Sequence, residues 1–434
     1  MWLNLIAPQG QMAASTLAIG SSSYELLELL GDGTASSTPS TAAAVSQSGN
    51  RVTLQGPGGT ISETRIINTG TNRAGTTDGL GSDQNLNLNV FSNLLDVSIR
   101  SQEGDDTLRL YGNLDSSNSL SRGGVNGPNN GVFTGNGNDN VTIRGSVDSQ
   151  VIDGGSGSDT IRISGTVEDS YIFGGDGSDN ISVRGNISDS YVNTGAGNDY
   201  SEFQSTATNL IFQGDAGNDT VIFRQSVVSN SVSGDGTSSV FTGTGNDVLT
   251  FENGARGTSI NTGTGNDTLL MRGEFYNDTI NLSVEAASQT PAGSDYLFAS
   301  SNSIFDSSSI LSNNTAGDTL VFGASNTFIN TDFILGSGND LINFGANALM
   351  YGASGSALGV DLGAGNDTIV FGAGGNFTGL EVSLGGGADV IRFVGATSSD
   401  LGTLSGYISD ASSEDTLYIG SVAYSYDGSS WGIA

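Results

Sequence analysis

Aspartates stand at 139, 159, 179, 199 and 219, so one carboxylate recurs every 20 residues. Glycine-rich stretches precede them: Thr134-Gly-Asn-Gly-Asn-Asp139, Gly154-Gly-Ser-Gly-Ser-Asp159, Gly174-Gly-Asp-Gly-Ser-Asp179 and Thr194-Gly-Ala-Gly-Asn-Asp199, with a weaker copy ending at Asp219. The motif or a close variant also ends at Asp83, Asp247, Asp267, Asp340, Asp367 and Asp389. Glycines permit φ > 0 and let backbone carbonyls turn inward, while the aspartate adds a charged oxygen. If such turns stack, their carboxylates lie about 4.8 Å apart, one strand spacing. Carboxylates that close repel unless a cation sits between them. Several oxygen ligands with no nitrogen or sulfur select Ca²⁺ over softer metals. A single copy would read as an ordinary turn closed by an Asx hydrogen bond. Ten full copies with aspartate at one offset favour a metal ladder.

The elements that position these residues repeat with them. Apolar residues follow each aspartate by two and often four positions, as in Val141 and Ile143, Ile161 and Ile163, Ile181 and Val183, and Val221 and Phe223. That alternation is a strand with one buried face. A second apolar position precedes each aspartate by seven: Val132, Ile152, Ile172, Val192 and Phe212. Each coil therefore reads strand, turn, strand, glycine-rich turn. A period near 20 marks a solenoid. The expected fold is all-β, a parallel β-roll or β-solenoid with coils of about 20 residues.

Composition narrows the function. The chain has 434 residues, 66 of them Gly and 5 Pro, so it is turn-rich without being proline-rich. It has no Cys and no His, and all 13 basic residues are Arg, against 45 acidic ones, for a formal charge of −32. Thiolate, histidine and zinc–thiolate chemistry are excluded. No basic face exists to hold nucleic acid phosphates, and anionic membranes should repel the chain. No run of 18 apolar residues suggests a membrane span. The stretch Met1-Trp-Leu-Asn-Leu-Ile-Ala-Pro8 has no basic residue before Arg51, so no cleavable signal peptide is expected.

The turns and their period resemble those of the repeats-in-toxin, or haemolysin-type calcium-binding, family over about residues 79–419. The resemblance implies a parallel β-roll in which aspartates and turn carbonyls of neighbouring coils share Ca²⁺. It assigns metal roles to the ten aspartates of the full motifs, with Asp219 as a weaker eleventh. It assigns backbone roles to Gly135, Gly137, Gly155, Gly157, Gly175, Gly177, Gly195 and Gly197. It further implies export of the unfolded chain by a type I exporter that reads an uncleaved C-terminal signal, with folding outside the cell where calcium is abundant. Two features depart from the family. Its coil is 18 residues with a calcium turn on both edges, whereas here the coil is 20 and one edge carries the motif. The opposite edge, Val147-Asp-Ser149, Val167-Glu-Asp-Ser170 and Ile187-Ser-Asp-Ser190, reads as solvated turns. One calcium ladder is therefore expected, with a break at Asp219, where Asp215 replaces the glycine. About ten Ca²⁺ would offset some 20 of the 32 net charges.

The expected organisation is a non-repeat segment and small-residue linker (1–50), an irregular solenoid start (51–130), a regular roll (131–273), an insertion (274–317), a second roll (318–419) and a C-terminal hairpin cap (420–434). The hairpin is also a candidate export signal. Ser23–Leu30 reads equally as a short helix or a strand edge. Asp106, Asp295 and Asp415 read as degenerate copies, and Asp318-Thr-Leu-Val-Phe322 as the pattern resuming. The expected function is non-enzymatic: an extracellular calcium-binding protein that assembles with itself into a surface layer or filament. Alternatives are a virion fibre, or an adhesin or glycan-binding module in which Tyr171, Tyr191 and Tyr200 stack on sugars. The remaining one is a polysaccharide lyase using Arg144, Arg162, Arg184 or Arg224 as base.

Overall fold

A computed structural model describes residues 87–101, 104–116, 130–230, 238–282, 293–312, 314–352 and 358–434, with the backbone of seven strands before residue 68. The chain divides into two compact units, Met1–Asp215 and Ala216–Ala434. Both are stacks of parallel β-coils.

In the first unit each coil has three strands, one more than the periodicity suggested. Behind the aspartate comes a four-residue strand, as in Asn140–Ile143, Thr160–Ile163 and Asn180–Val183. A two-residue strand follows, Val147–Asp148, Val167–Glu168 and Ile187–Ser188. The third strand is longer, Val151–Ser156, Tyr171–Asp176 and Tyr191–Ala196, and runs into the glycine turn. Each pairs in parallel with its equivalent one coil on. The supposed turn of the opposite edge thus contains a strand of its own. Its corner is made by one residue in the left-handed region, Ser149, Asp169, Asp189 or Asn209, with φ of 55°, 47°, 49° and 50°. Asp and Asn tolerate that region better than bulkier residues, which is why this corner is rich in them.

The core is a column from each sheet. Val141, Val147 and Ile152 are buried in one coil, and Ile161, Val167 and Ile172 in the next. Side-chain sizes compensate around the ring. Where Phe203 and Phe212 enter, the short strand presents Ala207. The second unit repeats the architecture with aromatic filling. Phe322, Phe328, Phe333 and Phe344 meet at centroid distances of 5.0–5.5 Å.

One open choice is decided and two expectations about organisation change. Of the two readings held open for Ser23–Leu30, the strand is found: Ser22–Glu28 pairs antiparallel with Ala13–Ile19. The stretch is too short to hold a helix without tertiary support. Residues 274–317 are not an inserted loop in their described parts. Glu274–Tyr276, Thr279–Asn281, Tyr296–Ala299, Ile304–Asp306 and Ser309–Ser312 are ladder strands in register with their neighbours. Their motif is degraded but their buried alternation is not. At the C-terminal end, Thr416–Ile419 is followed by Val422–Tyr426 and Trp431–Ile433, paired antiparallel. The loop there holds four residues, not the two expected of Asp427-Gly428, because Asp427 Oδ1 accepts from the Ser429 and Ser430 amides. A helical segment at 398–407 precedes this hairpin. Beyond it the Asp410 carboxylate accepts from the Leu384 and Gly385 amides, at 2.7 and 3.0 Å, and so satisfies donors at the end of the third sheet.

Phe344→Ala should cost about 3–5 kcal/mol, because four neighbouring rings cannot close the space left. Urea denaturation followed by circular dichroism would measure it, and a loss below about 1 kcal/mol would show that this core is not tightly packed.

Candidate metal centre

All eight glycines singled out by the repeats adopt φ between 96° and 146°. Their stacking explains why no other residue serves. A Cβ on Gly155 would run into the carbonyl oxygen of Gly135, and one on Gly157 into that of Gly137. Gly175, Gly177, Gly195 and Gly197 repeat the relation with the coil before. Two rows of carbonyl oxygens therefore point along the stack toward the next turn. In the second unit Gly263 and Gly265 face the carbonyls of Gly243 and Gly245 in the same way.

The aspartates lie inside these turns rather than at the rim. Asp139, Asp159, Asp179 and Asp199 are 2–3% exposed. One oxygen of each carboxylate accepts from the aspartate amide of the preceding coil. The Asp139 amide donates to Asp159 Oδ1, Asp159 to Asp179 and Asp179 to Asp199, each at 2.7 Å. In the second unit the chain of bonds runs from the Asp219 amide through Asp247, Asp267, Asp295, Asp318, Asp340, Asp367 and Asp389 to Asp415, at 2.7–3.0 Å. The expected break at Asp219 is absent on the side toward Asp247. Asp215 takes the glycine's place with φ 68°, a conformation aspartate tolerates. Outside the aspartates lies a second, exposed ladder. The amides of Ser158 and Ser178 donate to Asn138 Oδ1 and Ser158 Oγ, and those of Asn246 and Asn266 to the side chains of Asn218 and Asn246.

The second carboxylate oxygen is the informative one. Oδ2 of Asp159, Asp179, Asp295, Asp367 and Asp389 is buried without any hydrogen-bond partner. At Asp139, Asp247 and Asp267 a threonine hydroxyl lies alongside, but it donates elsewhere. Thr134 gives its proton to Gly154 O and Thr242 to Thr262 O, both at 2.6 Å, and Thr262 to Leu282 O at 2.7 Å. In two coils the ground beside Oδ2 is kept open by glycine. A methyl at Gly154 would stand 2.6 Å from Asp159 Oδ2, and one at Gly174 2.5 Å from Asp179 Oδ2. At two rungs without the Gly-x-Gly turn, protein donors step in, whereas Asp295, which also lacks it, keeps its Oδ2 bare. Asp318 Oδ2 accepts from Ser312 Oγ and Asn314 Nδ2, and Asp415 Oδ2 from the Ser412 amide.

Burial without a counterion pushes these carboxyls up. Asp139, Asp179 and Asp199 reach about 6 and Asp159 about 7, burial outweighing the bond from the preceding amide. Asp267 and Asp340 reach about 7, Asp295 about 8 and Asp389 about 6 for the same reason. A buried, half-satisfied carboxylate is costly. Taking a proton or an oxygen-seeking cation relieves it. The donor set, one aspartate oxygen per turn with aligned carbonyls, fits Ca²⁺. Among the described residues no three acidic side chains gather at one point, so carbonyls and water would have to complete each coordination shell.

Asp139, Asp159, Asp179 and Asp199 are rungs within the first unit, and Asp219, Asp247, Asp267, Asp340, Asp367 and Asp389 within the second, while Asp83 lies outside the described residues. Four members were undervalued in the sequence. Asp106, Asp295, Asp318 and Asp415 are full rungs, Asp106 through its amide to Asp139 Oδ1 at 2.6 Å. The apolar residue two positions after each of them was the available signal. Asp278 was missed altogether. It is buried at the second corner, accepts from the Thr258 amide at 2.7 Å, and is raised to about 7 by burial. Of the four arginines weighed as bases, Arg144 stacks on Tyr111 at 4.7 Å and Arg224 pairs with Glu252.

No protein-family model matches the chain, and no curated protein matches it. A solved structure is similar: the X-ray crystal structure of a hyperactive, Ca²⁺-dependent, β-helical antifreeze protein from an Antarctic bacterium. It is 18% identical with a TM-score of 0.49, over 81% of this chain and 93% of that one.

The raised carboxyls predict an unusual pH dependence without metal. Unfolded, they release protons near 3.8; folded, at about 6 to 8. The folded chain therefore holds more protons between those values, and its stability falls as pH rises through that window, having been complete below it. Thermal melts in chelator should show Tm declining from pH 4 to 8, and a Tm that rises instead would contradict the buried ladder.

Proposed function

We propose that this chain is a secreted, non-enzymatic protein whose β-coils are stabilised by calcium and which assembles with itself into an extracellular layer or filament. The observation that carries the calcium reading is the contrast at Oδ2. That oxygen is orphaned at Asp159, Asp179, Asp367 and Asp389, which close Gly-x-Gly-x-Asp turns, and is satisfied by protein donors at Asp318 and Asp415, which do not. With few carboxylates per site, affinity should be that of extracellular modules, about 10⁻⁴–10⁻³ M. Such sites would stay empty at cytosolic calcium and fill outside the cell, which agrees with folding after export.

Self-assembly draws support from the second unit. Its coils expose Tyr296 and Phe298 on the first sheet, Tyr276 and Tyr351 on the second and Ile334 on the third. On the first sheet Phe298 stands between Leu270 and Val321 in one outward row, and contiguous apolar surface of that kind is what lateral contacts use. The antiparallel hairpin after Thr416–Ile419 covers the strand edge there, which disfavours end-to-end pairing at that edge. Side-by-side packing through the exposed rows is the arrangement proposed.

Asp159→Asn, Asp179→Asn and Asp199→Asn together keep side-chain size and remove charge. The gain in Tm on adding calcium at neutral pH should shrink, and isothermal titration should count fewer sites. An unchanged gain would remove this ladder from calcium binding. Electron microscopy of the chain in chelator and then in millimolar calcium tests assembly separately. Ordered arrays should form only with calcium, and isolated particles that bind calcium would leave the metal chemistry and discard the layer.

A further inference from the structure

Several outward rows of this solenoid are polar. On the first sheet of the first unit one outward row reads Thr142, Arg162, Ser182 and Glu202. On the third sheet of the second unit an outward row reads Ser259, Thr279, Ser309 and Asp332. The third sheet of the first unit is different. Tyr171 and Tyr191 are direct partners on neighbouring strands, and Phe173 stands in the adjoining row. The three rings form one cluster, with centroids 6.3 Å (Tyr171–Phe173), 5.9 Å (Tyr171–Tyr191) and 5.8 Å (Phe173–Tyr191) apart. All three are half-buried. The fold does not require rings there, since equivalent positions elsewhere do without them.

Polar groups are fixed around this cluster. The Tyr191 hydroxyl donates to Gln213 Oε1. Asn193 Nδ2 donates to that hydroxyl at 3.1 Å and to Asp215 Oδ2 at 2.8 Å. Asp153 lies in the row of Phe173, between it and Phe133. A ring surface bordered by oriented amides and carboxylates matches the two sides of a sugar: its C–H face packs on rings, and its hydroxyls exchange hydrogen bonds with Asn, Gln and Asp. Rows spaced by about 4.8 Å along a parallel sheet suit an extended chain of sugar rings. Charge selects among glycans. The chain carries −32 overall, and the patch holds Asp153 and Asp215. Its nearby cation, Arg100, is seated over the Phe133 ring at 4.1 Å. An anionic polysaccharide would be repelled.

We propose that the Tyr171–Phe173–Tyr191 face binds a neutral polysaccharide chain. The rings supply the stacking platform, and Asn193 and Gln213 the hydroxyl contacts. Tyr200, the other tyrosine marked for sugar stacking in the sequence, lies on the first sheet and takes no part.

Native affinity electrophoresis in calcium buffer tests this, with laminarin, hydroxyethylcellulose, dextran and galactomannan as neutral probes and hyaluronate as the anionic one. At least one neutral glycan should retard the chain. Tyr171→Ala with Tyr191→Ala should weaken that binding about tenfold or more, and Tyr200→Ala should leave it unchanged. Asn193→Ala, which keeps the rings, should weaken it by a smaller factor and covers the case in which the double variant fails to fold. Absence of retardation by every neutral glycan would overturn the proposal. So would preference for hyaluronate, or wild-type binding by folded ring or Asn193 variants.

Discussion

A carboxylate that bonds to the amide of the coil before it is the interaction on which the rest of this structure depends. Each rung ties the start of one strand to the start of the next, inside the turn rather than on its surface. The bond sets the register of the first sheet, because the amide that donates belongs to the residue just before that strand. It also places half a charge-bearing group where water does not reach. The same contact therefore stabilises the stack and creates the unmet demand that a cation would satisfy.

The glycine turns answer to a geometric constraint of the same kind. Carbonyls of one turn project at the Cα atoms of the next, so a Cβ at Gly155 or Gly157 has no room. That removes side chains from the edge and leaves oxygens. The corners opposite face no such crowding, and there Ser149, Asp169, Asp189 and Asn209 hold positive φ with side chains in place. The corner after the first strand is crowded like the glycine turn, since a Cβ on Gly145, Gly165 or Gly185 would meet the carbonyl oxygen of Gly112, Gly145 or Gly165.

Much of this was legible in the order of residues. The period of 20, the apolar pair behind each aspartate and the fixed offset of glycine led directly to parallel coils and to most of the rungs among the described residues. The degraded copies were not. Asp295 and Asp318 lack the full turn, yet both are rungs, because Leu297 and Leu320 still bury two positions later and hold the backbone in place. The third strand of each coil was hidden for a related reason. Two residues such as Val147–Asp148 are too few to show alternation, and their pairing is visible only beside the next coil.

By itself, the sequence determined the solenoid, its parallel stacking and the chemistry available to it: oxygen ligands and acid, without thiol or imidazole. These follow from local geometry and composition, which repeat with the chain. The tertiary structure alone decided which carboxylate oxygen is satisfied and which is stranded, since that depends on donors 20 or more residues away. It also decided that Tyr171, Phe173 and Tyr191 make one surface while Tyr200 stands apart, because a side chain's neighbours across a sheet are set by the stacking of coils and not by distance along the chain.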